Sequence, residues 1–252
     1  MANPFDLGGR VALVTGANTG LGQGIAIALA EAGADIVAVG RSAPHETEAA
    51  VAAVGRRCLW VEASLDSIAP VDDIVRQALA AFGRIDILVN NAGTIRRNDS
   101  LDFTEADWDA VMDVNLKSVF FLAQAVARWW VAQGRGGKII NIASMLSFQG
   151  GIRVPSYTAS KSGVLGITRL LANEWAGKGI NVNAIAPGYF ATNNTEALRN
   201  DEARNRSILE RIPAGHWGKP ADLGGAAVFL SSAAADYVHG AVLPVDGGWL
   251  AR

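Results

Sequence analysis

The sequence predicts an α/β fold: a single doubly wound domain over residues 1–252, with a seven-stranded parallel sheet and helices on both faces. Three observations carry that expectation. Seven short, nearly continuous apolar runs recur along the chain, as strands buried on both faces require. Segments with apolar residues at helical spacing separate them, the alternation that joins parallel strands through crossover helices. Half of the 252 residues are hydrophobic, enough for a sizeable core, and neither linker nor repeat breaks the pattern.

The first strand, 10–15, runs straight into Gly16-Ala17-Asn18-Thr19-Gly20-Leu21-Gly22. Leu21, Ile25, Ala28 and Leu29 then share a helical face, and Gly33 is placed to end the helix. Strand, glycine-rich turn and helix open a dinucleotide-binding βαβ unit of Rossmann type. Glycine lets the backbone approach a pyrophosphate, and the helix N-terminus offers free N–H groups. A purely structural tight turn would use the same glycines. The second strand, 35–39, ends at Gly40-Arg41-Ser42, where a binder of unphosphorylated nicotinamide cofactor usually carries an acid for the ribose hydroxyls. Arg41 offers a guanidinium to a 2′-phosphate instead, which tilts the reading from NAD(H) toward NADP(H). The competing reading is a solvated loop arginine.

Residues 46–57 read as a helix, 58–63 as a third strand, and Val71 to Phe82 as a helix again. The fourth strand, 85–93, ends in Asn90-Asn91-Ala92-Gly93. These amides either close a turn or face a ligand at the carboxyl edge of the sheet. A long helix is expected over 104–133, capped by Thr104, with Asn115 among its apolar positions as a structural bridge or part of a polar relay. Trp129 and Trp130 near its end are expected in a core or a subunit contact. The fifth strand, 137–144, delivers Ser144 to the carboxyl edge, and a polar loop through Arg153 leads to Tyr157 on the next helix. The sixth strand, 180–186, ends at Pro187-Gly188, and 241–245 is the last. Residues 189–219, polar and without a strand signal, are expected to form short helices and loops, a lid over that edge.

Composition bounds the function. The formal charge of −2 comes without a basic cluster, against nucleic acid as partner. Apolar runs are short and broken by glycine, so none is expected to span a membrane. The segment from Met1 to Asp6 has no leader character. Cys58 is the only cysteine, and His45, His216 and His239 lack ligand spacing, so neither a disulfide nor a metal site is expected. A soluble cytoplasmic protein follows.

Tyr157 and Lys161, four apart, share a helical face. A phenol is a poor acid or base at neutral pH, and an ammonium beside it lowers its pKa toward useful proton transfer. Read together with Thr15-Gly16-x-x-x-Gly20-x-Gly22, Asn90-Asn91-Ala92-Gly93, Asn115, Ser144 and Pro187-Gly188, the chain resembles the short-chain dehydrogenase/reductase family over nearly its whole length. The resemblance implies an NAD(P)-dependent oxidoreductase interconverting a secondary alcohol and a ketone. It makes Tyr157 the general acid/base, Ser144 the donor to the substrate oxygen, Lys161 the modulator of Tyr157 and holder of the nicotinamide ribose, and Asn115 the residue positioning Lys161 through water. Gly16, Asn18, Thr19, Gly20, Leu21 and Gly22 would cradle the pyrophosphate. Asn91, Ala92 and Gly93 would line the adenosine side, and Pro187, Gly188 and Thr192 the nicotinamide side, with Tyr157 and Lys161 at the ribose. Ser64, beside Leu65, stands where relatives carry an aspartate facing the adenine. Thr19 stands where some NADP-binding members carry a basic residue, leaving Arg41 alone.

Within the family the chain is most similar to sugar-acid dehydrogenases, through segments such as Asn90 to Arg97, Ile139 to Lys161, Arg211 to Gly218 and Val245 to Arg252. Those relatives are generally NAD-linked, which opposes the Arg41 argument. A sugar acid explains the polar residues near Ser144: Arg153 or Arg97 for the carboxylate, and Gln149, Asn193 and Asn194 for hydroxyls. Gluconate 5-dehydrogenation and reduction of a keto acid from unsaturated-uronate breakdown ask for nearly the same site. A cofactor-sensing protein without chemistry is the alternative of another class. The resemblance also implies a homotetramer, with the Trp108–Trp130 helix at one interface and Trp249 to Arg252 at another.

Overall fold

The computed structural model describes residues 3–252; Met1 and Ala2, at the start of the segment read as lacking a leader, lie outside them. Seven strands form one sheet: β1 (Val11–Thr15), β2 (Asp35–Gly40), β3 (Cys58–Glu62), β4 (Ile87–Asn90), β5 (Gly137–Ile142), β6 (Ile180–Pro187) and β7 (Val242–Val245). All pair in parallel, in the order β3-β2-β1-β4-β5-β6-β7. The expected strands are all present, with ends shifted by one to three residues. The chain winds outward from β1 to β3, returns to β4 and then winds the other way. That reversal opens a crevice at the carboxyl ends of β1 and β4, where ligands of such sheets bind.

Helices α1 (Gly20–Glu31), α2 (His45–Ala53), α3 (Val71–Phe82), α4 (Glu105–Met112), α5 (Ser118–Ala132) and α6 (Pro155–Trp175) join the strands. Two apolar clusters cover the two faces of the sheet. One gathers α3 and α5 through Ile74, Ala78, Leu122, Val126 and Trp130, and the other gathers α1 through Ile25, Ala26 and Leu29. The indole of Trp130 is fully buried and donates to the Ile85 carbonyl (2.6 Å). α1 ends two residues before Gly33, as its position predicts.

The long helix over 104–133 differs from expectation in one turn. Asp113–Lys117 joins α4 to α5 as a wide turn in which the Ser118 N–H donates to the Asp113 carbonyl five residues back. Such turns insert one residue into the helix and often mark functional positions; here it holds Asn115. The continuous span Glu105–Ala132 is also long and apolar enough, by length and composition, to cross a membrane, which the short runs in the sequence did not suggest. Its apolar face packs on the sheet through Leu122, Ala123, Val126 and Trp130.

Residues 189–219 contain α7 (Glu196–Asn200) and α8 (Glu202–Leu209), followed by α9 (Gly224–Ser231). Phe190 and Gly218 form an isolated bridge across the base of this excursion.

Candidate active site

The glycine turn is shaped by what lies behind it. Gly16 has φ +67, a region glycine enters freely, and a Cβ there would come within 2.9 Å of the Asn91 amide. At Gly22 a Cβ would collide with the Gly16 carbonyl and that same amide. Asn91 Nδ2 donates to the carbonyls of Thr15 (2.8 Å) and Gly16 (3.3 Å). The buried Thr15 hydroxyl accepts from the backbone N–H groups of Asn91 (3.0 Å) and Ala92 (2.9 Å). The ends of β1 and β4 are thereby bolted together. Asn91 spends its side chain on the turn, and Asn90 bridges to Asn141 of β5 (2.9 Å).

No side chain caps the start of α1, and no acid stands in its first turn. The positive end of the helix at Gly20, Leu21 and Gly22 is left without an anion from the chain itself, which fits a pyrophosphate. Thr192 reaches over the turn, its Cγ2 3.5 Å from where a Cβ of Gly20 would stand. Asn18 Nδ2 donates to Ser42 Oγ (2.8 Å), tying the turn to the loop that carries exposed Arg41. Ser64 is half-buried after β3, and Leu65 is packed into the core. Pro187 ends β6, with Gly188 next to it.

On the other side of the crevice, Ser144 follows β5. Its Oγ accepts from the Leu146 N–H (3.1 Å), and its hydroxyl stands near enough to the Tyr157 phenol to lower its pKa. Ser147, which the sequence did not single out, ties the Ser144 segment to α6. Its Oγ accepts from Ser144 N–H (3.3 Å) and donates to the Lys161 carbonyl (2.7 Å). Lys161 Nζ lies 5.7 Å from the centre of the Tyr157 ring and donates to the Ile142 carbonyl (2.6 Å). Asn115, fully buried, accepts from the Thr94 N–H (2.8 Å), and its Nδ2 donates to the Thr94 carbonyl (2.9 Å) and Ser160 Oγ (3.3 Å). Ser160 in turn donates to the Tyr157 carbonyl (2.8 Å). Asn115 thus reaches α6 through Ser160, with no direct bond to Lys161.

Electrostatics at this end differ from the simple ammonium–phenol argument. Burial holds the Tyr157 phenol above its usual pKa, while the nearby Ser144 hydroxyl and the positive charge of Arg97 pull it back. Burial also lowers Lys161 to about 8. The charge that works against Tyr157's burial comes from Arg97, because the Lys161 ammonium is turned to the Ile142 carbonyl.

Beside Ser144 and Tyr157 opens a cleft of about 400 Å³. Arg97, Gln149 and Asn194 line it as expected, whereas Arg153 and Asn193 are not among the lining residues. Arg153 sits in an exposed left-handed turn (φ 62) whose carbonyl accepts from the Asn98 N–H (3.0 Å). Three lining positions of consequence were not anticipated: Arg204, Arg211 and Trp249. Arg204, Ser207 and Ile208 follow the spacing i, i+3, i+4 and line the cleft, a periodicity that could have revealed the inward face of α8, and Arg211 lines it from the turn just past the end of that helix. No aspartate or glutamate lines the cleft. Trp249 is 4 % exposed and packs against Tyr189, centroid to centroid 4.8 Å. Its indole is therefore taken up inside the chain.

A turn prepared for a pyrophosphate and a phenol held against a serine hydroxyl face one crevice. Together with the doubly wound sheet they define a class: nucleotide-dependent oxidoreductases acting on CH–OH groups. A family model described as Enoyl-(Acyl carrier protein) reductase, adh_short_C2, matches residues 16–250. The chain belongs to the short-chain dehydrogenase/reductase family. It is 64% identical to 2-dehydro-3-deoxy-D-gluconate 5-dehydrogenase of Dickeya dadantii over 250 residues, 99% of each chain. The enzyme of that name from Escherichia coli is also 64% identical, over 98% of each. A crystal structure from Agrobacterium tumefaciens with bound NADP, provisionally named 2-deoxy-D-gluconate 3-dehydrogenase, superposes with a TM-score of 0.95. It shares 64% identity and covers 100% of both chains.

Proposed function

We propose that the chain interconverts a secondary alcohol and a ketone on a six-carbon sugar acid. The 2-dehydro-3-deoxy-D-gluconate/C5 reaction is the first choice, and oxidation of 2-deoxy-D-gluconate at C3 is the second. One observation carries the acid: three arginines and no carboxylate line the cleft beside Ser144 and Tyr157. The near-complete alignment with dehydrogenases of that name supports the particular substrate.

The nicotinamide cofactor, when bound, supplies the two-electron donor or acceptor. The chain's own residues hold it and handle the proton. Gly16 to Gly22 and the uncapped start of α1 receive the pyrophosphate, with Asn91 fixing the turn from behind. Thr192 and Pro187-Gly188 border the nicotinamide end. Ser144, positioned by the Leu146 N–H, would turn its hydroxyl from the Tyr157 phenol to donate to the substrate oxygen, where charge develops in the transition state. Tyr157 gives or takes the proton at that oxygen. Lys161, one turn on, is protonated below about pH 8 and favours phenolate when its ammonium is directed to Tyr157. Asn115 and Ser160 keep the first turn of α6 in place. Arg41, at the end of β2 where an acid would favour NAD(H), makes NADP(H) the preferred cofactor. Residues 189–219 act as the lid of a single catalytic domain.

The protein works as a cytoplasmic homotetramer; the half-exposed Trp108 and Val131 on the α4–α5 helix support a subunit contact there. Light scattering checks the assembly. For the activity, the purified protein is assayed with a panel of sugar acids, neutral sugars and polyols against both cofactors. Equal turnover of neutral and acidic substrates would overturn the assignment.

A further inference from the structure

The three arginines in the cleft are not equivalent. Arg97 donates to the Asn194 carbonyl (3.1 Å) and is the one whose charge acts on Tyr157. Arg204 and Arg211 act on Tyr189 instead. Arg211 is the best braced. Its guanidinium carbon lies 4.1 Å over the Trp249 ring, and Nη2 donates to Gln149 Oε1 (3.1 Å). Trp249 is itself fixed, packed with Met145, Ile208 and Ile212 and set edge-on to Tyr189. Stacking on a buried indole holds the plane of the guanidinium and leaves most of its five donors for a ligand. The chain supplies no carboxylate in the cleft to take them. The C-terminal segment adds a second tie, because Arg252 donates to the Glu210 carbonyl (3.0 Å), next to Arg211.

We infer that Arg211 is the specificity-determining residue for the acid. Stacked on Trp249 and bonded to Gln149, it holds the substrate carboxylate at the Tyr189–Trp249 end of the cleft. A carbon several bonds from the carboxylate is then the one presented to Ser144 and Tyr157. A carboxylate on Arg97 would instead lie beside the reacting carbon, the arrangement of a 2-hydroxy acid. The inference rests on the sugar-acid reading and adds to it a direction of binding: carboxylate at the lid, reaction at the remote end. It also gives the C-terminus a role, since Trp249 keeps the anchor in its plane.

The test is Arg211→Met, which keeps an unbranched stem against Trp249 and removes the fork, beside Arg97→Met. Steady-state kinetics are measured with 2-dehydro-3-deoxy-D-gluconate and with D-sorbitol, and NADPH binding is followed by fluorescence. Charged hydrogen bonds in a cleft open to water set the scale, so Arg211→Met should raise the KM for the acid about tenfold to a hundredfold. Most of the loss should lie in KM rather than kcat, the acid-over-polyol preference should fall by a similar factor, and NADPH binding should persist. A KM for the acid within about twofold of wild type would overturn the inference, as would an equal loss on the polyol. If the wild type turns over no sugar acid, the substrate reading fails, and Arg211 is judged separately by melting with D-gluconate against D-sorbitol. A gluconate-dependent rise in Tm confined to the wild type supports the carboxylate anchor. The same rise in both proteins, or in neither, refutes it.

Discussion

Thr15→Val tests the joint between β1 and β4 without touching anything a substrate would meet. The replacement keeps the shape of a side chain that is 2 % exposed. It removes the oxygen that accepts from two backbone N–H groups, Asn91 at 3.0 Å and Ala92 at 2.9 Å. A buried donor stripped of its partner costs about 1–3 kcal/mol. Allowing for relaxation of two neighbouring groups, the loss is roughly 2–4 kcal/mol. For a chain of this length each kcal/mol moves Tm by about 2–4 °C, so a fall of roughly 5–15 °C is expected. The turn holding Gly16 also loses its backing, so NADPH affinity should weaken while kcat at saturation changes little. The assay is thermal melting by circular dichroism, together with fluorescence titration of NADPH. Thr15→Ser keeps the oxygen and should recover most of both properties. A valine variant melting within about 1 °C of wild type would show that the two N–H groups find other partners and that the joint is not what holds the turn.

Three further outcomes follow from the site. Tyr157→Phe should lower kcat by about a hundredfold to ten-thousandfold while NADPH still binds; undiminished turnover would remove the phenol from proton transfer. Lys161→Met should abolish most activity yet raise Tm at neutral pH, because burial lowers the lysine to about 8 from 10.5 in the open chain. Below pH 8 both states are protonated and folding bears the full cost of burying the charge; between 8 and 10.5 only the unfolded chain holds the proton, so wild-type stability rises with pH there. The Tm advantage of the methionine variant should therefore shrink across that window, and a constant difference would contradict a charged buried lysine. Arg41→Ala should raise the KM for NADPH about tenfold or more and leave NADH nearly unchanged, on the scale of a lost charge-assisted phosphate contact. Equal effects on both cofactors would make Arg41 an ordinary loop residue.

Strand count, the glycine turn, the Tyr157–Lys161 spacing and the placing of Ser144 at a strand end were all legible from the residues. Each depends on neighbours within a few positions, where helix and strand periods constrain side chains directly. Element ends drifted because terminal turns are settled by packing and capping rather than by period. The wide turn at Asn115 left no trace in the pattern, since one inserted residue scarcely disturbs a helical stripe. The cleft was the least legible part. Arg97, Gln149, Arg211 and Trp249 come from four separate segments, and the apolar pattern says nothing of which arginine finds an indole to lie on. Arg153 and Arg211 look alike in sequence; a left-handed exposed turn set one outside the lining, while the turn that follows α8 and the buried Trp249 set the other within it. Local periodicity was thus sufficient for the sheet and for bringing Ser144, Tyr157 and Lys161 to its carboxyl edge, because their geometry is inherited from the element that carries them. The arginine-lined end of the cleft exists only once distant segments pack, because its geometry belongs to none of them alone.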